Sequence, residues 1–389
     1  MTDADRGPVT PSLLTVLREW GRIGCIGFGG PPTHIKLLRA LCVEQRRWID
    51  ATEFEDAIAT CNLLPGPAST QLSIYCAWRL RGRAGALVGG TAFILPGLVV
   101  ILALAALFLE GAPPTWVLAA GAGAGSAVAA VAVHAGVGLV PASWARSAAR
   151  VRWAAYVLAG AVAAATLGPR LVLVLLACGG VELLLRRGLP RGPARPGLSP
   201  LPLLGVGTLS AGVLLSVAWV AIKVGALSYG GGFVIIPLMQ GDAVGHYHWM
   251  TGAQFLNAVA LGQITPGPVV QTVAVVGYAA AGLVGGVLAS VVAFTPSFLF
   301  VLLGATRFDR IRADQRARAF LDGAGPAAIG AIFGSAIPLT RALTEPWQFA
   351  LLALAAIVLL ALRRGVVATL LAAALVGMVA VAAGAPLPG

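Results

Sequence analysis

Charged side chains are scarce in this sequence, and the signatures of several protein classes are missing from it. Only 11% of the 389 residues are charged, whereas soluble globular domains carry about a quarter. The five cysteines form no CxxC pair and no spacing typical of metal ligands. Walker A, HExxH and Ser/His/Asp patterns are absent as well. These absences exclude a soluble globular protein and argue against ATP hydrolysis, and we predict no cofactor and no metal.

Long apolar stretches make up most of the chain. Hydrophobic residues account for 58% of it, and the mean hydropathy is +0.88. Leu87–Leu109, Val117–Val140 and Val284–Leu303 approach the length that a bilayer-spanning helix needs. Ala119–Ala135 is rich in the small residues that let membrane helices pack closely. The sequence therefore predicts an all-α integral membrane protein whose partner is the lipid bilayer.

The 81 residues of Arg22–Leu102 recur as Lys223–Leu303, at an offset of 223 − 22 = 201 residues. Twenty of the aligned positions are identical, about twice what this composition would give by chance. The repeat predicts two homologous halves, residues 1–196 with a basic linker and residues 197–389. We expect about 12–13 membrane segments in total, some of them broken or re-entrant.

Arginines in the loops predict that the two halves are inverted. Arg79, Arg81 and Arg83 precede the third segment of the first half, whereas Arg307 and Arg318 bound a basic stretch that follows the equivalent segment. Because positive loops face the cytoplasm, the two copies should cross in opposite directions. The net charge of +12 is not a nucleic-acid signature, since the arginines are scattered without interleaved aromatic residues.

Adjacent glycines interrupt one apolar segment in each half. Gly29-Gly30 recurs as Gly230-Gly231, and in the first half Pro31-Pro32 follows at once. A helix cannot continue smoothly through these residues, so we predict a break at membrane depth. Backbone N–H groups freed there could bind an anion. The alternative is a tight helix crossing without a ligand.

A Pro-Gly-Pro turn follows in each half, at Pro65–Pro67 and Pro266–Pro268. Polar residues surround both turns, including Ser69, Thr70 and Gln71. A half-helix that begins after such a turn attracts an anion through its dipole and its free N–H groups. The alternative is a proline kink whose polar groups are satisfied internally.

Two cations and two acids are candidates for handling charge. Arg22 and Lys223 each precede a glycine pair by seven residues, and they either attract the anion or form structural ion pairs. Glu53 and Asp56 align with neutral amides in the second half, so they either couple transport to protons or cap helices at the interface. His34 is interpreted as a satisfied packing residue.

The predicted site residues come from both halves. The substrate-binding residues are Gly29, Gly30, Asn62, Pro65, Gly66, Pro67, Ser69, Thr70, Gln71, Lys223, Gly230, Gly231, Gln263, Thr265, Pro266, Gly267, Pro268, Gln271 and Thr272. The charge-compensating or coupling residues are Arg22, Lys223, Glu53 and Asp56.

These motifs resemble those of the chromate ion transporter (CHR) family in its long two-domain form. The resemblance rests on Phe28–Pro31, on Leu64–Gln71 and on their second copies. It departs from the family pattern at Tyr229, which replaces Phe, and at Thr265, which replaces Leu. It implies a multi-pass carrier in the bacterial inner membrane that exports chromate, is driven by the proton gradient and confers chromate resistance.

The sequence therefore suggests a carrier for a tetrahedral divalent oxyanion, with protons as the coupling partner. Chromate and sulfate share charge and shape, so sulfate should compete. The first alternative is a permease or channel for uptake of sulfate or another oxyanion. The second is a membrane enzyme that reduces chromate, although the cofactor ligands it needs are missing. The sequence is also compatible with a homodimer.

Overall fold

A computed structural model of the chain describes residues 11–62, 64, 66–109, 111, 113–147, 149–187, 209–228, 233–307 and 314–388. All regular secondary structure in these ranges is helical. The predicted boundary at 196/197 lies outside the described residues.

The described helices fall into two series. The first half contains α1 (Leu13–Ile26), α2 (Pro31–Arg39, continuing as a π-helix over Ala40–Gln45), α3 (Ala51–Cys61), α4 (Ala68–Leu109), α5 (Thr115–Ser126), α6 (Val128–Arg146), α7 (Arg150–Thr166) and α8 (Leu171–Arg187). The second contains α9 (Leu209–Leu227), α10 (Ile235–Gln240, with a π-helix over Gly241–His246), α11 (Gly252–Ile264), α12 (Thr272–Gly304), α13 (Gln315–Arg341), α14 (Pro346–Ala356, with a π-helix over Ile357–Ala361) and α15 (Val366–Ala382).

The helix before each Pro-Gly-Pro turn is short and firmly capped. The Asp50 carboxylate accepts from the Thr52 N–H at the start of α3. At the equivalent position, Thr251 forms a capping box with Gln254 at the start of α11. Each cap satisfies backbone donors that the first helical turn leaves free. The caps fix the starting points of two short helices that end at the turns.

Each half then contains a kinked helix. The number of residues that separates equivalent positions of the two halves changes between the turns and these kinks. In α4, Arg81 and Gly82 leave the helical conformation, with Gly82 at φ 58° and ψ −147°. In α12, Ala281 and Gly282 do the same, with Gly282 at φ 60° and ψ −153°. These kinks are 282 − 82 = 200 residues apart, not 201. The ungapped repeat predicted from the sequence is therefore wrong by one residue beyond the turns.

A short 3₁₀ helix accounts for this shift. It covers Val269–Gln271 in the second half, whereas α4 begins directly as an α-helix. A 3₁₀ helix rises about 2.0 Å per residue and an α-helix about 1.5 Å. Three 3₁₀ residues therefore cover about the same length as four α-helical residues, so the second half needs one residue fewer. The packing agrees with this register. Gly24 and Gly225 are equivalent residues before the turns, 225 − 24 = 201 residues apart. A Cβ added to Gly24 would lie 2.6 Å from the Phe93 oxygen, and one added to Gly225 would lie 1.9 Å from the Ala293 oxygen. These two contacted residues, beyond the turns, are 293 − 93 = 200 residues apart.

The two halves interlock. Helices α4 and α12 pack against each other, and also against α1 and α9 respectively. Around them, α13 of the second half packs against α7 and α8 of the first, while α5 of the first packs against α15 of the second. A Cβ added to Gly160 or to Gly330 would lie 1.8 Å from a backbone oxygen of the opposing helix. Small residues thus bring α7 and α13 into backbone contact, as is typical of membrane helices.

The outer surface of this helical assembly is apolar. The described helices long and apolar enough to span a bilayer are Ala68–Leu109, Thr115–Arg146, Val269–Gly304 and Gln315–Arg341, and shorter apolar helices cover Gly212–Leu227, Pro346–Ala361 and Val366–Ala382. Large apolar side chains such as Val151, Leu303 and Val379 are mostly exposed, as expected where a helix faces lipid. The predicted all-α membrane protein with two repeated halves and broken helices is confirmed.

Candidate functional site

The first turn, residues 65–67, joins α3 to α4, and Pro65 lies outside the described residues. Gly66 has a φ of +117°, which L side chains rarely adopt. A Cβ added there would lie 2.6 Å from Gln71 Nε2 and 3.2 Å from Ser297 Oγ. The Pro67 carbonyl accepts from the Gln71 N–H at 3.0 Å, so α4 begins immediately after the turn. The free N–H groups of that first helical turn therefore lie beside the turn.

The second turn, residues 266–268, is buried throughout. Gly267 has a φ of +89°, and its N–H donates to the Gly27 carbonyl at 3.0 Å. Gln271 Nε2 donates to the Ile94 carbonyl at 2.5 Å. A Cβ added to Gly97 of α4 would lie only 2.2 Å from the Pro266 oxygen. The second turn is therefore packed directly against the first half.

The glycine break of the first half connects both turns. The Gly27 carbonyl accepts from Gly267 and also from His34 Nε2, at 2.9 Å. The other ring nitrogen of His34 lies 3.2 Å from Ser69 Oγ, just after the first turn. Because a carbonyl can only accept, Nε2 carries a proton, and when the ring is neutral the Ser69 hydroxyl donates to Nδ1. His34 is buried and both of its ring nitrogens have hydrogen-bond partners, so its side chain is satisfied as predicted.

The predicted break itself is present in the first half. Gly29 and Gly30 have φ values of 92° and 76° and separate α1 from α2. Pro31 occupies the first position of α2, where proline is favoured. Gly230 and Gly231 lie outside the described residues. That these glycines bind an anion remains a prediction.

Several buried polar atoms around the turns have no hydrogen-bond partner within the described part of the chain. They are Thr70 Oγ1, Ser228 Oγ, Gln263 Nε2, Gln271 Oε1 and Ser297 Oγ. Leaving such an atom unsatisfied costs about 1–3 kcal/mol, so polar atoms gathered at the junction of the halves favour a hydrated or ligand-binding interior. Ser228 and Ser297 were not predicted as site residues.

Other predicted side chains are satisfied locally. The hydroxyl of Thr265 donates to the Leu261 carbonyl, and that of Thr272 donates to the Val269 carbonyl. Asn62 is the exposed C-cap residue of α3. Asn62 and Thr265 thus mark the ends of α3 and α11, Thr272 marks the start of α12, and only Asn62 among the three has an exposed side chain.

A cavity of about 680 Å³ opens beside the first turn. We call it the first cavity. Around the turn it is lined by Asn62, Gly66 and Ala68. Its charged lining residues come from α6, α8 and α13 and are Arg146, Arg186, Arg318 and Asp322. Three arginines and one aspartate leave an excess of positive charge, and the volume suits a small ligand. No residue of the second turn is among the described residues that line it.

One of the cavity arginines, Arg186, is held by an ion-pair network. Arg186 contacts Asp322 at 2.9 Å and Glu182 at 2.8 Å. Glu182 also contacts Arg152 at 3.1 Å and accepts from the Tyr156 hydroxyl at 3.1 Å. The network joins α7, α8 and α13 across the two halves.

Sequence reasoning used basic stretches, with Arg318 among them, only as markers of orientation. Arg146, Arg186 and Arg318 belong to three helices that are far apart in the chain. These three residues lie near helix ends, and they come together beside the first turn only when the helices pack. The available signal was the positive-inside pattern, which places all three at the same side of the membrane.

Lys223 forms an ion pair, one of the two roles that the sequence left open. Its Nζ lies 2.6 Å from Asp242 Oδ2, and the side chains are 11% and 4% exposed. It also lies 5.5 Å from the centre of the Trp219 ring. The pair lines a second cavity of about 490 Å³, together with Arg170 and His246. Lys223 is therefore not in the wall of the first cavity.

The second cavity lies at the opposite end of α8 from the first. Val172 and Leu173 line the second cavity, and Arg186 lines the first. The 17 residues of α8 span about 25 Å, close to the thickness of a bilayer core. The two cavities therefore lie towards opposite membrane surfaces.

The remaining charged candidates lie outside both cavity linings. Arg22 is exposed on α1. Glu53 contacts Arg79 at 2.5 Å and accepts from the Tyr75 hydroxyl at 3.4 Å. Asp56 is half-buried on α3. The structure thus gives Glu53 an ion-pair partner, and proton coupling through Glu53 or Asp56 remains a prediction.

Comparison with known proteins agrees with the motifs. Residues 14–183 and 215–378 each match the family model described as chromate transporter. The chain belongs to the chromate transporter family. The two matched regions cover the two repeated halves, and the family assignment identifies a multi-pass bacterial membrane protein.

Curated relatives match along most of the chain. The chromate transport protein of Cupriavidus metallidurans is 33% identical over 358 residues, which cover 90% of this chain and 88% of the relative. The chromate transport protein of Pseudomonas aeruginosa is 30% identical over 371 residues, covering 88% and 85%. The probable chromate transport protein of Synechococcus elongatus is 29% identical over 342 residues, covering 85% of each. No solved structure matches.

Proposed function

We propose that this protein exports chromate from the cytoplasm by alternating access and thereby confers chromate resistance. The observation that carries the proposal is the convergence of the first turn with Arg146, Arg186 and Arg318 around one cavity. The names of the relatives support chromate as the substrate.

The orientation of the first cavity supports export. Arg150 and Arg152 lie close to Arg146, and Arg316 lies close to Arg318. Under the positive-inside rule this arginine-rich end of the helices faces the cytoplasm. The first cavity would then receive the substrate from inside the cell.

The chemistry of the cavity suits a tetrahedral divalent oxyanion. Guanidinium groups bind oxyanions through paired, charge-assisted hydrogen bonds. The start of α4, where Ala68 lines the cavity, adds the positive end of a helix dipole. Such a site recognises charge and shape, so sulfate should compete with chromate.

The driving force is the second part of the proposal. Moving two negative charges out of a cell at −100 mV is favourable by about 4.6 kcal/mol. The proton gradient would add to this drive if a buried carboxylate exchanged a proton during the cycle. The Glu53–Arg79 pair and the buried Lys223–Asp242 pair are the candidates, since a proton can replace the cation in either.

Transport in proteoliposomes tests the proposal. Radiolabelled chromate is offered at the arginine-rich face while a pH gradient and a potassium diffusion potential are imposed separately. We expect saturable transport that both gradients stimulate and that sulfate inhibits. Unsaturable flux would indicate a channel, and transport only toward the arginine-rich face would indicate an uptake permease. Recovery of reduced chromium would indicate an enzyme.

A further inference from the structure

Two acids share Arg186, but their surroundings differ. Glu182 has three described partners, Arg152, Tyr156 and Arg186, and its side chain is 4% exposed. Asp322 contacts Arg186 from the cavity side, and its side chain is 19% exposed. Glu182 is absent from the described cavity lining, whereas Asp322 is part of it.

This difference assigns separate tasks to the two carboxylates. Glu182 lies one helical turn before Arg186 on α8, so it holds the guanidinium in place from behind. Asp322 comes from α13, across the interface between the halves, and covers the face of Arg186 that is turned to the cavity. An oxyanion that reached Arg186 would meet a like charge already bound there, and such an arrangement is repulsive.

We propose that Asp322 is an internal counter-anion that the transported oxyanion displaces from Arg186, while Glu182 keeps Arg186 in position. This inference rests on the proposed function, because it concerns the same cavity. It explains why a cavity with three arginines also contains one carboxylate. It also links binding to the interface between the halves, because releasing Asp322 breaks a contact between α8 and α13.

Equilibrium binding to the purified full-length protein tests the inference. Radiolabelled chromate and radiolabelled sulfate serve as separate probes. Asp322→Asn removes the competing charge and should tighten binding roughly three- to tenfold. Asp314→Asn is the matched control, since Asp314 is the exposed N-cap of the same helix and asparagine caps equally well. It should leave the affinity unchanged.

A double-mutant cycle separates competition from a structural effect. Arg186→Gln should weaken binding, and adding Asp322→Asn to that variant should give no gain. Glu182→Gln should weaken binding although Glu182 does not line the cavity. Thermal unfolding of each variant verifies that the folded protein is being compared.

The outcomes distinguish the inference from the proposed function. If chromate fails to bind but sulfate binds, and Asp322→Asn tightens sulfate binding, the substrate assignment fails and the inference holds. If chromate binds and Asp322→Asn leaves its affinity unchanged or lowers it, the inference is overturned alone. If neither oxyanion binds, both are overturned.

Discussion

The two Pro-Gly-Pro turns have the same sequence but different surroundings. The first turn lies in the wall of an arginine-lined cavity. The second is buried against α4, with Gly267 bonded to Gly27 and Gln271 bonded to Ile94. Gly97 of α4 and Ser297 of α12 occupy equivalent positions, and each lies beside the turn of the other half. Ser297 is next to the first turn, and Gly97 is next to the second.

This difference is what the proposed alternating access would require of two related halves. In a pseudo-symmetric carrier, one half adopts the open arrangement while the other adopts the closed one, and the two exchange during transport. In the chain as described, the first turn lines the first cavity and the second turn does not, although Gly66 and Pro67 are themselves buried. His34 and Gly27 connect the turns, so a change at one can reach the other.

The sharpest way to break the comparison is to remove the charge of Lys223, because among the described residues it has an ion-pair partner and Arg22, its equivalent in the first half, has none. Lys223→Met leaves Asp242 buried without its cation, which should cost about 3–5 kcal/mol of stability. Thermal unfolding in detergent measures the loss. The double variant Lys223→Met with Asp242→Leu should recover most of it, and Arg22→Met is the first-half control. A Lys223→Met protein as stable as the wild type would contradict the assigned ion pair.

Closing the space at the second turn should have the next largest effect. Gly97→Val places a Cβ 2.2 Å from the Pro266 oxygen, and overpacking of this kind costs about 1–3 kcal/mol. We expect transport to fall by about tenfold or more as the second turn is forced away from α4. Gly180→Val is the control, because an added Cβ there meets no atom within 4 Å. Equal transport by both variants would show that the second turn need not close on α4.

Breaking the bridge between the turns should have a moderate effect. His34→Phe keeps an aromatic ring but removes both hydrogen bonds, which leaves the Ser69 hydroxyl without its His34 partner. A loss of about 1–3 kcal/mol in unfolding free energy is expected. Transport should fall further than this stability loss explains, and comparing both measurements at a temperature where the variant is fully folded tests that. Unchanged transport would mean that His34 only packs.

The smallest effect is expected at the rim of the first cavity. Arg318→Gln removes an exposed guanidinium, so the KM for chromate should rise only a few-fold, and less so at high salt. Initial rates at two ionic strengths measure the change. Arg316→Gln, two residues away and outside the described cavity lining, should behave like the wild type. A salt-independent effect would point to a structural role for Arg318.

Local chemistry made much of this predictable from the sequence. Adjacent glycines, Pro-Gly-Pro turns and capping residues act through their own backbone, so the breaks could be located from sequence. The register shift could not, because its cause is a 3₁₀ turn over Val269–Gln271 that leaves no clear residue signature. Chance identities beyond the turn then favoured the wrong offset.

Long-range packing accounts for what was missed. The charged lining of the first cavity depends on how α6, α8 and α13 converge, and no local pattern determines that. The Lys223–Asp242 pair joins α9 to the π-helix that follows α10, so its two residues meet only once these helices pack together. Sequence reasoning correctly found the polar turns, but it could not tell which one would line the first cavity.

Cysteine accessibility tests this asymmetry most directly. Asn62→Cys and Gln263→Cys occupy equivalent positions before the first and second turns, in a cysteine-free background that still transports chromate. In vesicles that expose the arginine-rich face, a membrane-impermeant thiol reagent should label Asn62→Cys rapidly and Gln263→Cys slowly, and chromate should slow the labelling of Asn62→Cys. Equal labelling of both positions, unaffected by chromate, would contradict the account.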